Sequence, residues 1–418
     1  STCGVTQAEL EAAATAIGTS KSVVFAWAMG ITQHENGVDN VFSIANTALI
    51  SGNIGRLGAG VMPVRGHSNV QGFGSMGVTT QKLKEGLQES LEKRLGKSLS
   101  GIKGYDTRSL IEAADQGKVD TLICLGGNLY GANPNSTQAK RAIANIETVI
   151  YLATKPNIGH FNGLAKQNTI IIPVLNRFEN PYRTTVESGN NFVRLNDPGE
   201  THLKDADLIP EIDFLTELAH RVHGSYPVEW RRLRDPKYVR QLIAEMVPGF
   251  SKMATIDETR EEFTIEGRII TEPKFPTPSG KAKMFTTPLP KLELPDRTAF
   301  KVDDSVPSVI VTIMTGRSYS QHNTVVYKDG DKYRGMPHRN CILMHPTDAE
   351  KAGLKQHQRV TVQGNAGKLE QVELIYGAVR PGAAVMFYPE VNQIFSTKIE
   401  TRSGTPAYKR VPAIVYAS

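Results

Sequence analysis

The residues best suited to chemistry sit in "VMPVRGHSNVQGFGSMGV", residues 61–78. Four glycines lie among one Arg, one His, two Ser, one Asn and one Gln, with no acid. Glycine lets the backbone approach a ligand closely. Short amides and hydroxyls add hydrogen-bonding groups to the same surface. The stretch suits a large polar ligand carrying phosphates or many ring heteroatoms. Arg65, with His67 beside it, is the best-placed catalytic candidate, because a guanidinium keeps its charge and grips an anion through two parallel hydrogen bonds.

Other segments group similar chemistry. "LICLGGN" places Gly126, Gly127 and Asn128 directly after an apolar run, where backbone N–H groups can cradle a phosphate. It is not GxGxxG, and no acid stands about twenty residues on, so a nicotinamide-type site is not expected. "ATKPNIGH" brings Asn157, with His160 read as a surface residue. "GITQHENG" offers Gln33 and His34 to a purine or pterin edge. "TGRSYSQHNT" packs Arg317, Ser318, Tyr319, His322 and Asn323 into seven positions, more polar side chains than a turn needs. Each segment taken alone also reads as an ordinary polar loop. No HExxH, Walker motif or serine triad is present.

These residues need elements to hold them. Thr6 and Glu9 fit a capping box opening a helix that ends at Gly18. "SVVFAWAMG" reads as a buried strand and "NVFSIANTALISGNIG" as a helix. After a featureless stretch (81–105) the pattern repeats: "SLIEAADQGK" helix, "VDTLICLGGN" strand, "NSTQAKRAIANI" helix, then the strands "TVIYLATKPN" and "NTIIIPVL". The expected fold class is α/β, with parallel doubly wound sheets whose ligand lies beyond the carboxyl ends of the strands. Residues 205–300 are less regular, apart from a helix in "DLIPEIDFLTELAHRVHG". From 307 onward, closely spaced strands suggest a barrel, with one short helix, "PTDAEKAGL", capped by Thr347 and Glu350.

Composition narrows the classes. With 418 residues, two to four domains are expected. The net charge of +6 is scattered, not gathered into the stripe that nucleic acid requires. No apolar run is long enough to span a membrane. Three separated cysteines, Cys3, Cys124 and Cys341, make no CxxC pair, so no metal site is expected and a reducing, cytoplasmic setting fits. Cys124 and Cys341 both read as buried strand residues.

In sequence, "WAMGITQHENG", "SGNIGR", "GAGVMPVRG" and "NVQG" resemble the prokaryotic molybdopterin oxidoreductases, in their formate dehydrogenase alpha-subunit branch. "LICLGGNLYGANP", "HPTDAEKAGLKQHQRVTVQGNAGK", "GAAVMFYPEVNQIFS" and "TPAYKRVPAIV" are similar to the family's later blocks. The resemblance implies a cofactor of two molybdopterin guanine dinucleotides binding molybdenum or tungsten. It implies a C-terminal six-stranded double-psi β-barrel at 301–418, an α/β dinucleotide-binding domain at 67–185, an irregular connecting region at 186–300, and the end of an α/β domain at 1–66. Arg65 matches the active-site arginine, whereas His67 stands where the dehydrogenases more usually carry Gln. The resemblance points to Gln33, Asn69, Gln71, Gly126, Gly127, Asn128, Asn157, Arg317, Tyr319, His322, Asn323, Asn392 and Lys409 as cofactor contacts. It also implies that the chain is the carboxyl part of a larger subunit, whose cysteine or selenocysteine metal ligand and any [4Fe-4S] cluster lie upstream. The expected partners are then that N-terminal part, a small substrate and an electron-transfer subunit. The other expectation is a non-catalytic dinucleotide-binding or assembly protein of the same fold.

Overall fold

The computed structural model describes residues 4–64, 66–80, 82–83, 85–99, 101, 103–202, 207–267, 273–290 and 294–418. Arg65 and Cys3 lie outside these described residues. The chain forms two compact units, each assembled from separated segments. One takes residues up to Ala28, Phe42–Thr107 and Pro173–Thr286; the other takes Met29–Val41, Arg108–Ile172 and Thr287–Ser418.

In the first unit, strands β1 (Val24–Trp27) and β2 (Gly60–Pro63) pair in parallel. Their link is fixed by Asn53, only 1% exposed. Its Oδ1 accepts from the Val23 N–H at 2.9 Å and from Arg56 at 2.8 Å. β1 is only half-buried rather than the buried strand its apolar sequence suggests.

In the second unit, β3 (Thr121–Leu125), β4 (Thr148–Ala153) and β5 (Asn168–Pro173) form a sheet in that order, with β3 and β4 parallel. Helices Thr107–Asp115 and Ser136–Ala144 supply Ile111, Ala114, Ala139, Ala142 and Ile143 to its core. Every expected helix and strand of this βαβ stretch is present. Cys124 is only half-buried, because β3 alternates exposed and half-buried positions.

The first unit also contains β6 (Thr184–Glu187), β7 (Phe192–Asn196) and the short β8 (Phe263–Thr264), an antiparallel sheet. Helices Glu85–Leu95 and Pro236–Met246 pack near it, through Leu87, Val193, Val247, Phe250 and Ile256. None of these was distinct in the sequence. Asp235 caps the second helix, with Pro236 in its first turn, a start signal that the surrounding charges obscure.

The last strands are β9 (Ser308–Gly316), β10 (Cys341–Met344), β11 (Arg359–Gln363), β12 (Lys368–Tyr376), β13 (Ala383–Phe387) and β14 (Val411–Ala417). They close in the order β10-β12-β11-β14-β9-β13. β10/β12 and β9/β13 are parallel and the remaining pairs antiparallel. This is the expected six-stranded double-psi barrel. Alternation makes it: Val311, Ile313, Ile342, Met344, Val360, Val362, Val372, Leu374, Ala413 and Val415 all turn into one core. The helix Pro346–Lys351 is capped by His345, not by the expected Thr347, because the His345 side chain accepts from the Thr347 N–H at 3.2 Å. Among the described residues, no helix is long and apolar enough to cross a membrane.

Ile342 is 0% exposed at the barrel centre. Ile342→Ala should cost about 2–5 kcal/mol, through lost burial and the cavity left behind. Urea denaturation measures this, and a loss under about 1 kcal/mol would contradict the packing described.

Candidate functional site

Within the second unit, strand ends bring several polar segments together. β3 ends in Gly126 (φ +64°) and Gly127 (φ +77°), and an added Cβ on either would meet nothing within 4 Å. Successive positive φ values need glycine here, and such turns aim N–H groups at anions. Asn128 follows, 4% exposed. Its Oδ1 caps the next turn by accepting from the Gly131 N–H at 2.8 Å, and its Nδ2 donates to the Thr324 carbonyl at 3.0 Å. Asn157, beyond the end of β4, donates from Nδ2 to the Gly127 carbonyl at 3.0 Å and accepts from the Gly159 N–H at 2.8 Å. The "GGN", "KPN" and "SQHNT" segments thus meet.

Asn392 joins them from a short 3-10 turn. It donates to the Gly131 carbonyl at 2.9 Å, and its own carbonyl accepts from the Asn135 N–H at 2.8 Å. It is 1% exposed, yet its Oδ1 has no hydrogen-bond partner. A buried orphan acceptor is costly.

Arg317, directly after β9, donates from Nε to the Gln321 carbonyl at 2.8 Å. Asn323 holds φ +51°. His322 is exposed, its backbone N–H paired with the Val326 carbonyl. Tyr319 is 67% exposed and meets Tyr333 edge-on at 4.6 Å, leaving ring surface for stacking. Behind them lies Arg339, which sequence reading missed. It is 7% exposed, ion-paired to Glu390 at 2.6 Å, and bonded to Ser318 Oγ at 3.0 Å and the Tyr388 carbonyl at 2.7 Å. No local motif marks it, because its partners lie far off in sequence.

The Lys409 N–H donates to the Gln33 carbonyl at 3.0 Å, so these two predicted residues are neighbours. Lys409 Nζ donates to the Thr315 carbonyl at 2.7 Å and to Thr315 Oγ1 at 2.9 Å. Burial pulls its ammonium below the ordinary lysine value. Burial also lowers His34, with the charges of Lys409 and Arg410 adding to the effect. The neighbouring Tyr408 hydroxyl donates to the Ala132 carbonyl at 3.0 Å.

In the first unit, His67, Asn69 and Gln71 line a cleft of about 340 Å³ with Met62, Glu187 and Arg194. Asn69, at φ +60°, accepts at Oδ1 from the Glu187 N–H at 2.9 Å. His67 is exposed. Gln71 is half-buried.

His160, expected at the surface, is 3% exposed and tilted against Tyr151 with ring centroids 4.9 Å apart. The short helix Ile158–Asn162 turns it inward to the sheet core.

Residues 311–412 match the family described as the molydopterin dinucleotide binding domain. An uncharacterized oxidoreductase of Mycobacterium tuberculosis is 30% identical over 427 residues, covering 98% of this chain and 53% of that protein. Formate dehydrogenase H of Escherichia coli K12 is 25% identical over 443 residues, 97% of this chain and 57% of the relative. Acetylene hydratase from Pelobacter acetylenicus shares the fold, with a TM-score of 0.68 and 16% identity over 99% of this chain and 63% of its own. The matched residues cover most of the barrel, which is thus similar to a molydopterin dinucleotide-binding domain. The chain spans about half the length of the curated relatives it matches.

The crowding at Asn128 is testable. A Cβ on Gly159 would lie 2.3 Å from Asn128 Oδ1 and 2.9 Å from Asn157 Oδ1. Gly159→Ala should cost about 1–3 kcal/mol in thermal unfolding, and a neutral result would contradict the packing. Burial lowers the His160 pKa, so the folded chain resists protonating it. Stability is then present above the ordinary histidine value of about 6.5 and falls as pH drops through it, since the unfolded chain binds the extra proton. His160→Gln should flatten that slope. An unchanged slope would remove His160 as its source.

Proposed function

We propose that this chain is the dinucleotide-holding part of a molybdopterin oxidoreductase that carries out a two-electron reaction on a small substrate such as formate. The observation that carries the proposal is the polar cluster beyond the strand ends: glycines at positive φ, the capping asparagines Asn128 and Asn157, and the orphan Asn392 Oδ1. These residues fit a guanine dinucleotide of molybdopterin, two of which would hold molybdenum or tungsten. The N–H groups of Gly127 and Asn128 suit a pyrophosphate. Asn392 Oδ1 would accept from a base or pterin N–H. Tyr319 would stack on a ring, and the Arg317 and Lys409 cations would offset phosphate charge. An anion beside Lys409 would compensate the burial that now disfavours its ammonium. Gln33, Asn157, His322 and Asn323 complete the polar lining.

When bound, the metal–dithiolene group would take up or supply the electron pair. In our reading Arg65 holds the substrate carboxylate through its guanidinium fork and stabilises charge as the C–H bond breaks. His67 offers its ring nitrogens to the substrate or its proton, and Asn69 and Gln71 line the same cleft. The role of Arg65 rests on its place in "PVRG". The whole protein would then supply the metal's protein ligand, any [4Fe-4S] cluster and the contact to an electron-transfer subunit from its other half. A cytoplasmic setting belongs to the same proposal.

The whole protein, purified from its source, should contain about one molybdenum or tungsten and two guanine-linked pterins per chain. Lys409→Met should lower the retained pterin. Arg65→Ala should cut turnover roughly 100-fold or more with metal content unchanged. Unchanged turnover would remove Arg65 from catalysis. A protein free of both metal and pterin would favour a non-catalytic dinucleotide-binding or assembly role.

A further inference from the structure

The outer face of the barrel carries a second cluster, unrelated to the dinucleotide residues. Strand register builds it. β10 and β12 run parallel with Cys341 opposite Glu373, and β11 places Arg359 opposite the same Glu373. Val372 and Leu374 point into the barrel core, so Glu373 points out. Cys341, on the outer side of β10, packs with Leu343 and Ile375 in a small cluster outside that core.

His338, just before β10, completes the arrangement. Its Nδ1 lies 3.4 Å and its Nε2 3.8 Å from Cys341 Sγ, and Nε2 is 2.6 Å from Glu373 Oε2. His357 Nδ1 lies 2.8 Å from the other carboxylate oxygen, Oε1. Arg359 stands 3.7 Å from Oε2. One ligand atom each from His338, Cys341 and Glu373 fits within 4.8 Å.

We propose that His338, Cys341 and Glu373 form a site for a divalent transition-metal ion, with zinc as the best match, oriented by His357. Thiolate, imidazole and carboxylate are the ligand types zinc takes. With bonds near 2.3 Å to sulfur and 2.0 Å to nitrogen, a tetrahedral S···N edge is about 3.5 Å. The Cys341–His338 separation brackets that value. The Glu373–His338 contact is shorter than such an edge, so the carboxylate shifts outward to share the ion. His357 on Oε1 then acts as the supporting hydrogen bond that metal-bound carboxylates commonly receive. Cys341 is 0% exposed, while His338 and His357 are reached from solvent, so the ion would enter from their side. Metal binding displaces the thiol proton. The reaction is thiol plus metal ion giving metal thiolate and a proton, with no change of oxidation state.

The test uses this chain, stripped with chelator and titrated with Co²⁺ and with Zn²⁺. Wild type should take up about one ion per chain, and Co²⁺ should give a thiolate-to-cobalt charge-transfer band. Cys341→Ser should abolish the band, which separates this thiol from Cys3 and Cys124. His338→Gln, at a partly exposed position that tolerates change, should weaken binding roughly tenfold or more. His357→Gln should weaken binding while keeping the band. Circular dichroism of each variant establishes that it is folded. No charge-transfer band in folded wild type, or ion uptake as tight in Cys341→Ser and His338→Gln as in wild type, would overturn the proposal and leave a hydrogen-bonded cluster. Neither outcome bears on the dinucleotide site, whose residues lie elsewhere.

Discussion

The second unit depends on the buried side chain of Asn128. One amide satisfies two segments far apart in sequence, the Gly131 N–H and the Thr324 carbonyl. Both partners are backbone groups that burial would otherwise leave costly. The Asn128 side chain therefore fixes the end of β3 to the segment that follows β9. Gly159 lacks a Cβ because Asn128 Oδ1 fills that space. Asn157 and Asn392 repeat the device on the Gly127 and Gly131 carbonyls. Asn128 and Asn157 cap and cross-link, Asn392 cross-links, and together they tie the strand ends into one polar surface.

Such a surface suits a large ligand. A floppy lining would lose ordering entropy on binding, whereas these loops are already held by backbone-directed hydrogen bonds. Arg339 extends the same logic deeper. Its ion pair with Glu390 and its bonds to Ser318 and Tyr388 stabilise the turn that presents Arg317 and Tyr319. The predicted residues thus divide between those that build the surface, Asn128 and Asn157, and those left open on it, Tyr319 and His322. Asn392 belongs with the builders, its amide nitrogen engaged and its buried oxygen unpaired.

Local signals in the sequence were legible in proportion to how local their causes were. Thr6 and Glu9 cap the first helix as their spacing predicts, because a capping box spans one turn. The βαβ stretch and the barrel strands follow from apolar periodicity. The helices at 85–95 and 236–246 carry no clear local signal, because their faces are bounded by charge and their partners are distant. His345 caps the helix in place of Thr347 because the helix begins at Pro346, which puts Thr347 inside the first turn and its N–H within reach of the His345 ring. His160 is buried against Tyr151, a tertiary contact that no residue beside it signals. The site's outline was readable from grouped Gly, Asn and Arg residues, but not its cross-links, which are made by tertiary pairing. The cluster at Glu373 lay hidden for the same reason, since only strand register brings residues 338, 341, 357 and 373 together.

The central claim is that the polar cluster around Asn128 and Asn392 receives the dinucleotide. A structure of the whole protein carrying its native cofactor tests this most directly. We expect a guanine dinucleotide arm against Gly127, Asn128 and Tyr319, with Asn392 Oδ1 accepting a hydrogen bond from it. A cofactor bound elsewhere, with Asn392 Oδ1 paired only to protein or water, would contradict it.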